Sequence, residues 1–225
     1  MLKRPAAQHA SWKWWTALLY LAGWLLLSGA QPASLREVQS RETLDSEKAT
    51  ALKVAYMRYI AEYTTWPLGT LKNPEQPLTF CMLGHDVEGM ARRIDRLIVE
   101  TDFHIQGRPV QLNILRKGLL PFLSDESEMI ESIRPCHLLY VLPSEKDRWD
   151  TLSPHIQNLP VVTISEIEGF SQNGGMIQFV LTPVANGSGL RYSLHINLKN
   201  TLQAGLRLSA KFLNLKQAVR IVEFP

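Results

Sequence analysis

Gly169-Phe170-Ser171-Gln172-Asn173-Gly174-Gly175-Met176-Ile177-Gln178-Phe179-Val180 is the stretch on which the fold turns. Its glycines permit backbone angles closed to other residues, so the chain can change direction here. The apolar run Met176 to Thr182 then reads as a strand. Leu190 to Ile196 reads as its hairpin partner, with Pro183 to Gly189, including Asn186-Gly187, as the connection. The corner offers no nucleophile with a base and no phosphate-cradling helix start. Gly169, Phe170, Gly174 and Gly175 are therefore read as architecture.

Upstream of the corner, strand and helix alternate. Leu78 to Gly84, Pro109 to Leu115, Cys136 to Leu142 and Val161 to Ile164 are short apolar runs, as in strands covered on both faces. Between them lie helical patterns: Val87 to about Ile98, Ser124 to Pro135, and Ser144 (a capping box with Asp147) to about Asn158. A first helix is expected from Asp45 or Ser46 until Pro67 stops it after Trp66. Leu52, Tyr56, Tyr59, Ile60 and Tyr63 form its apolar stripe, read as core, with a partner-binding face as the alternative. Beyond the hairpin, Asn197 caps a helix ending at Gly205, and Ser209 to Val222 reads as a closing helix. The expectation is a single layered α/β domain over residues 45–225. It has a mixed sheet of about six strands, helices on both faces, and a C-terminal hairpin plus helices.

Cys81 and Cys136 fall in the first and third of these strands. An even pair in an oxidising compartment is most simply a disulfide, the alternative being two buried thiols. A bridge needs Cα atoms within about 7 Å. It would therefore make strands one and three neighbours and set the parallel order as 2-1-3.

Residues 1–30 form a separate unit. Lys3, Arg4 and Lys13 precede an apolar run from Trp14 to Leu27, and small residues follow at Ser28-Gly29-Ala30. This is the plan of a secretory signal peptide, cut after Ala30 or Ala33. An uncleaved anchor is the alternative, but the run is short against the roughly twenty residues of a membrane span. Residues 31–44 then read as a flexible mature N-terminus. Removing the leader takes the formal net charge from +3 to zero. A near-neutral chain with interspersed charges has no electrostatic footprint for nucleic acid.

No HExxH, GxSxG, P-loop or GxGxxG pattern is present. Catalytic residues, metal ligands and cofactors are accordingly expected to be none. Gly84-His85-Asp86 sits at the carboxyl end of strand one, where open α/β sheets bind ligands and His85 could carry a proton beside Asp86, but a surface turn with a solvated His–Asp pair is the favoured reading. Alternation puts Arg191, Ser193 and His195 on one face of the last long strand. That face suits an anion, a small ligand or an acidic partner, or is an ordinary solvated surface.

The segment Leu52-Lys53-Val54-Ala55-Tyr56-Met57-Arg58-Tyr59-Ile60-Ala61-Glu62-Tyr63, ending Thr65-Trp66-Pro67, resembles the opening of the YfiR-like family of exported bacterial proteins. Phe80 to Gly84, Gly107 to Val110, Cys136 to Val141, the Gly169 to Phe179 corner, Ile196 to Leu198 and Ala204 to Leu213 continue the resemblance in register. It implies a periplasmic α/β regulator rather than an enzyme. The best-understood type binds the periplasmic domain of an inner-membrane sensor, a diguanylate cyclase, and represses it. The resemblance also implies relief by an outer-membrane-associated partner and by redox stress, and a homodimer. The chain departs from that type in holding one cysteine pair where the model regulator has two.

Overall fold

The computed structural model describes residues 33–115, 126–183 and 190–222. The chain divides into two units, Met1–Asp45 and Ser46–Pro225. Of the first, only the helical residues 33–45 are described. The signal segment, the expected cap at Ser124 and the Asn186-Gly187 turn lie outside the described residues.

The elements run α1 (Ala33–Glu62), β1 (Thr64–Thr65), β2 (Leu78–Leu83), α2 (Met90–Thr101), β3 (His104–Ile105), β4 (Arg108–Leu115) and α3 (Glu126–Ile133). They continue with β5 (Leu138–Val141), α4 (Lys146–Ile156), β6 (Val162–Ser165), β7 (Ile177–Pro183), β8 (Leu190–Ile196), α5 (Leu198–Gln203), β9 (Arg207–Leu208), α6 (Ala210–Leu213) and β10 (Val219–Ile221). One eight-stranded sheet has the order β10-β8-β7-β6-β5-β2-β4-β3, and β1 pairs with β9 separately. The expected six strands are β2, β4, β5, β6, β7 and β8. The additional ones are two or three residues long, too short to carry a periodic signal.

β2 pairs in parallel with both β4 and β5, so the 2-1-3 order is the order found. Parallel pairing continues through β6 to β7, and β7–β8 is the expected antiparallel hairpin. Because side chains alternate along a strand, the sheet feeds two cores. Phe80, Met82, Leu138, Tyr140, Ile164, Phe179 and Leu194 meet Val54, Met57 and Ile60 of α1 and Met90 and Ile94 of α2. On the other face Cys81, Leu83, Leu139 and Val141 meet Met129 and Ile133 of α3 and Trp149, Leu152 and Ile156 of α4.

The Gly169 corner packs under α4. Phe170 is fully buried with its ring 4.3 Å from that of Trp149, whose indole N–H donates to the Asn173 carbonyl at 2.7 Å. A Cβ on Gly175 would lie 2.3 Å from the Phe170 ring, and Gly174 sits at φ +90°. Both positions therefore require glycine. Asn197 caps α5 by accepting from Asn200 N, as expected, and its side-chain amide donates to the Ser171 carbonyl. One residue thus fastens the corner to the hairpin's exit.

Four expectations change. α1 starts at Ala33, because no proline or glycine interrupts residues 33–44, and it ends at Glu62 rather than Trp66. Ser144 and Asp147 form no capping box. A 3-10 turn, Pro143–Glu145, precedes α4, and the Ser144 hydroxyl accepts from His85 N at 2.9 Å. The Ser209–Val222 segment is not one helix: α6 stops at Leu213, and Val219–Ile221 pairs in parallel with β8. The open edge of β8 supplies hydrogen bonds that outcompete a helical continuation. The fourth concerns the face of α1 that is buried.

Candidate functional site

Along α1 the buried positions are Thr50, Lys53, Val54, Met57, Ile60 and Ala61, with Thr64 just beyond the helix. They follow the three- and four-residue steps of one helical face. The stripe expected to be core is so in part: Ile60 is fully buried and Tyr56 and Tyr63 pack against the core, whereas Leu52 is 43 % exposed and Tyr59 is 42 % exposed. The fully buried face is centred on Lys53, Val54 and Met57, so apolarity alone places the stripe's centre too far toward solvent. The buried stripe tolerates Lys53 because its charge is matched inside.

Lys53 keeps only 1 % of its side chain exposed. Its Nζ lies 2.5 Å from Glu88 Oε2 and 2.7 Å from Glu166 Oε1. The Tyr140 hydroxyl donates to the same Glu166 oxygen, and the Tyr192 ring centroid is 5.7 Å from the ammonium. Burial alone would favour the neutral amine, but the hydrogen bonds and charges of Glu166 and Glu88 outweigh it and raise the Lys53 pKa. Burial, reinforced by the Glu166 charge, drives the Tyr140 phenol far above its ordinary range. This network ties α1 to β5, β8 and the ends of two loops. Sequence reading missed it. A lysine on a buried helical stripe is the signal, visible only once the correct stripe is chosen.

The outward stripe lines a groove of about 680 Å³ formed by Leu52, Ala55, Tyr56 and Tyr59 against Asn214–Ala218. The rings of Tyr59 and Tyr63 lie 4.8 Å apart, and Lys211 Nζ sits 5.4 Å from the Tyr63 ring. This exposed apolar surface is the candidate contact face of α1.

Arg191, Ser193 and His195 do share one strand face, but they do not form one open site. Ser193 is buried and donates to the Val180 carbonyl at 3.3 Å. Arg191 is exposed, and His195 lies half-buried opposite Arg220 of β10. Burial and then the Arg220 charge push the His195 pKa down, and its Nε2 is buried without a hydrogen-bond partner among the described residues.

Cys81 and Cys136 are joined, with Cα atoms 5.8 Å apart. Beside the bridge, the His137 ring nitrogen Nδ1 accepts from Thr79 N at 3.0 Å, which requires an unprotonated Nδ1. Burial, helped by the Arg108 charge, lowers the His137 pKa to about 4. An unfolded histidine titrates near 6.5, so between these values the unfolded chain binds a proton that the folded one refuses. Stability is therefore expected to fall by on the order of 3 kcal/mol as pH drops from 7 to 4, and to level off below. Urea titrations at stepped pH test this, and His137→Asn should flatten the profile in that window.

Asp86 does not serve as His85's partner. Its two carboxylate oxygens accept from Met90 N and Ala91 N at the start of α2. Among the described residues no group of three or more His, Cys, Asp or Glu is placed to hold a metal ion, and no helix is long and apolar enough to cross a membrane.

No curated protein matches the chain. The family model described as YfiR/HmsC-like matches residues 50–216, from the buried stripe of α1 to the groove wall before β10. With most of its length inside that match, the chain belongs to the YfiR/HmsC-like family.

Proposed function

We propose that the protein is a periplasmic regulatory binding protein that represses an inner-membrane sensor, a diguanylate cyclase, by binding its periplasmic domain. The observation that carries this reading is the family match over residues 50–216. The outward groove of Leu52, Tyr56 and Tyr59 supports it, because binding modules present apolar surface rather than paired nucleophiles and bases. In this reading residues 1–30 direct export and are cleaved near Ala30 or Ala33. The regulator acts as a homodimer, and an outer-membrane-associated partner relieves it. Repression works by differential contact with two receptor conformations. Moving a receptor from one percent to ninety-nine percent inactive takes about 5.5 kcal/mol of difference in binding. The Cys81–Cys136 bridge keeps the inhibitor folded and so links repression to compartment redox.

Deletion of the gene is expected to raise cellular cyclic di-GMP severalfold, with restoration by the wild-type chain and not by Tyr59→Glu. Unchanged cyclic di-GMP on deletion removes the reading. A second reading, a small-ligand receptor or accessory subunit for an anionic or aromatic metabolite using Arg191 and His195, is favoured by the partnerless His195 Nε2. Thermal stabilisation by such a metabolite, lost in Arg191→Ala His195→Ala, distinguishes it.

A further inference from the structure

We infer that α3 is a lid on the Cys81–Cys136 bridge, so that a dithiol reductant reaches the sulfurs by lifting this one helix while the rest of the chain stays folded. β2 lies between β4 and β5 in the sheet, so the connection from β4 to β5 has to cross over it. α3 is the helix of that connection, and Cys81 is on the strand it crosses. At the end of the helix, Cys136 N donates to the Ile133 carbonyl at 2.9 Å, and the Ser132 carbonyl oxygen lies 3.7 Å from Cys136 Sγ. Met129 and Ile133 belong to the same apolar layer as both cysteines. Under this cover Cys81 is fully buried and Cys136 is 2 % exposed.

Two features make the lid separable. The bridge sits at the margin of its core. Register partners on paired strands share a face, so Cys81 has Asn113 of β4 beside it and Thr79 has Gln111. Asn113 and Gln111 are both exposed, so solvent already reaches the neighbouring strand on that face. The other feature is α3 itself. Its eight residues are too few to stand as a helix alone, and Met129 and Ile133 are the ones it buries. The neighbouring cover, α4, is anchored by Trp149, Leu152 and Ile156, and the Trp149 indole is bonded to the glycine corner. An element held by few buried side chains opens locally at less cost than the whole fold.

A thiolate of the dithiol attacks Cys136 Sγ, which the lifted last turn bares, and the S–S bond breaks to release Cys81 as a thiolate. The second thiolate of the dithiol then attacks the mixed disulfide, frees Cys136 and closes the dithiol's own bridge. Two electrons pass to the protein, and two protons from solvent complete its thiols. β2–β5 pairing holds the cysteines together, so the lid can close over the reduced pair. This refines the redox link in the function proposed above, yet it concerns the bridge alone and stands whatever cyclic di-GMP does.

Reduction of the purified full chain by dithiothreitol, stopped by alkylation and read by mass, tests the inference. The wild type should be reduced at least about tenfold more slowly than oxidised glutathione, an unshielded disulfide. Its rate should rise with urea far less steeply than global unfolding does, because lifting α3 exposes little surface. Met129→Ala should speed reduction about tenfold or more. Ile94→Ala, in the core on the other face of the sheet, should lower global stability yet change the rate by less than about twofold. A wild-type rate equal to that of oxidised glutathione, a urea dependence as steep as that of global unfolding, or equal effects of Ile94→Ala and Met129→Ala overturns the inference. The first two outcomes need only the wild type, so they decide even if Met129→Ala fails to fold.

Discussion

Replacing Cys81 and Cys136 together by alanine is expected to lower the stability of the folded chain by about 4 kcal/mol. The bridge spans 55 residues of sequence, from within β2 through α2, β3, β4 and α3. Without it the unfolded ensemble regains the freedom of that loop, which is the source of the estimate. The native state loses less. The two positions are packed among Leu83, Met129, Ile133 and Leu139, and β2–β5 pairing holds them together without the sulfurs. Alanine is the appropriate replacement because serine would bury hydroxyls in that apolar layer. With a urea dependence of about 2 kcal/mol/M, the unfolding midpoint should fall by about 2 M. Dithiothreitol should move the wild type by the same amount and leave the double variant unmoved. A wild-type midpoint insensitive to reduction would show that the bridge contributes nothing.

The second large effect belongs to Lys53. Lys53→Met is expected to destabilise the chain by about 3 kcal/mol, the low end for breaking a buried ion pair. The value is low because Glu88 and Glu166 retain 35 % and 22 % exposure and regain some water. The penalty arises from the carboxylates left behind, more than from the lost attraction. Adding Glu166→Gln to Lys53→Met should therefore recover part of the loss, since the Tyr140 hydroxyl can still donate to the amide oxygen. A double-mutant cycle in urea would read this as a coupling on the order of 1 to 3 kcal/mol. Purely additive effects would mean that Lys53 matters only as packing volume.

The layered α/β sheet and its 2-1-3 order were legible because strong local signals agreed there. Apolar runs, glycines and a cysteine pair all pointed the same way. The segment Ser209–Val222 was not legible beyond its first turn, because Phe212, Leu213, Leu215, Val219 and Val222 fit a helical face. Their true partner, the edge of β8, is fixed only by the assembled sheet. The face of α1 was read only in part, for a related reason: Ile60, Tyr56 and Tyr63 do meet the core, but Leu52 and Tyr59 do not. Its inner stripe includes Thr50 and Lys53, so it looks the more polar until Glu88 and Glu166 arrive from elsewhere in the chain. Arg191, Ser193 and His195 do share one face, but alternation could not reveal that Ser193 is buried against the Val180 carbonyl or that Arg220 of β10 stands beside His195.

The pairing of β10 with β8 guards the flank of the sheet. Val219–Ile221 covers the strand edge that the β7–β8 hairpin would otherwise expose. Until it docks, β8 presents an unpaired edge of the kind that templates aggregation. β10 therefore acts as a guard on that edge. A chain ending at Ala218 would lose Val219 from the core and present the edge of β8 bare, and its fault would appear as self-association.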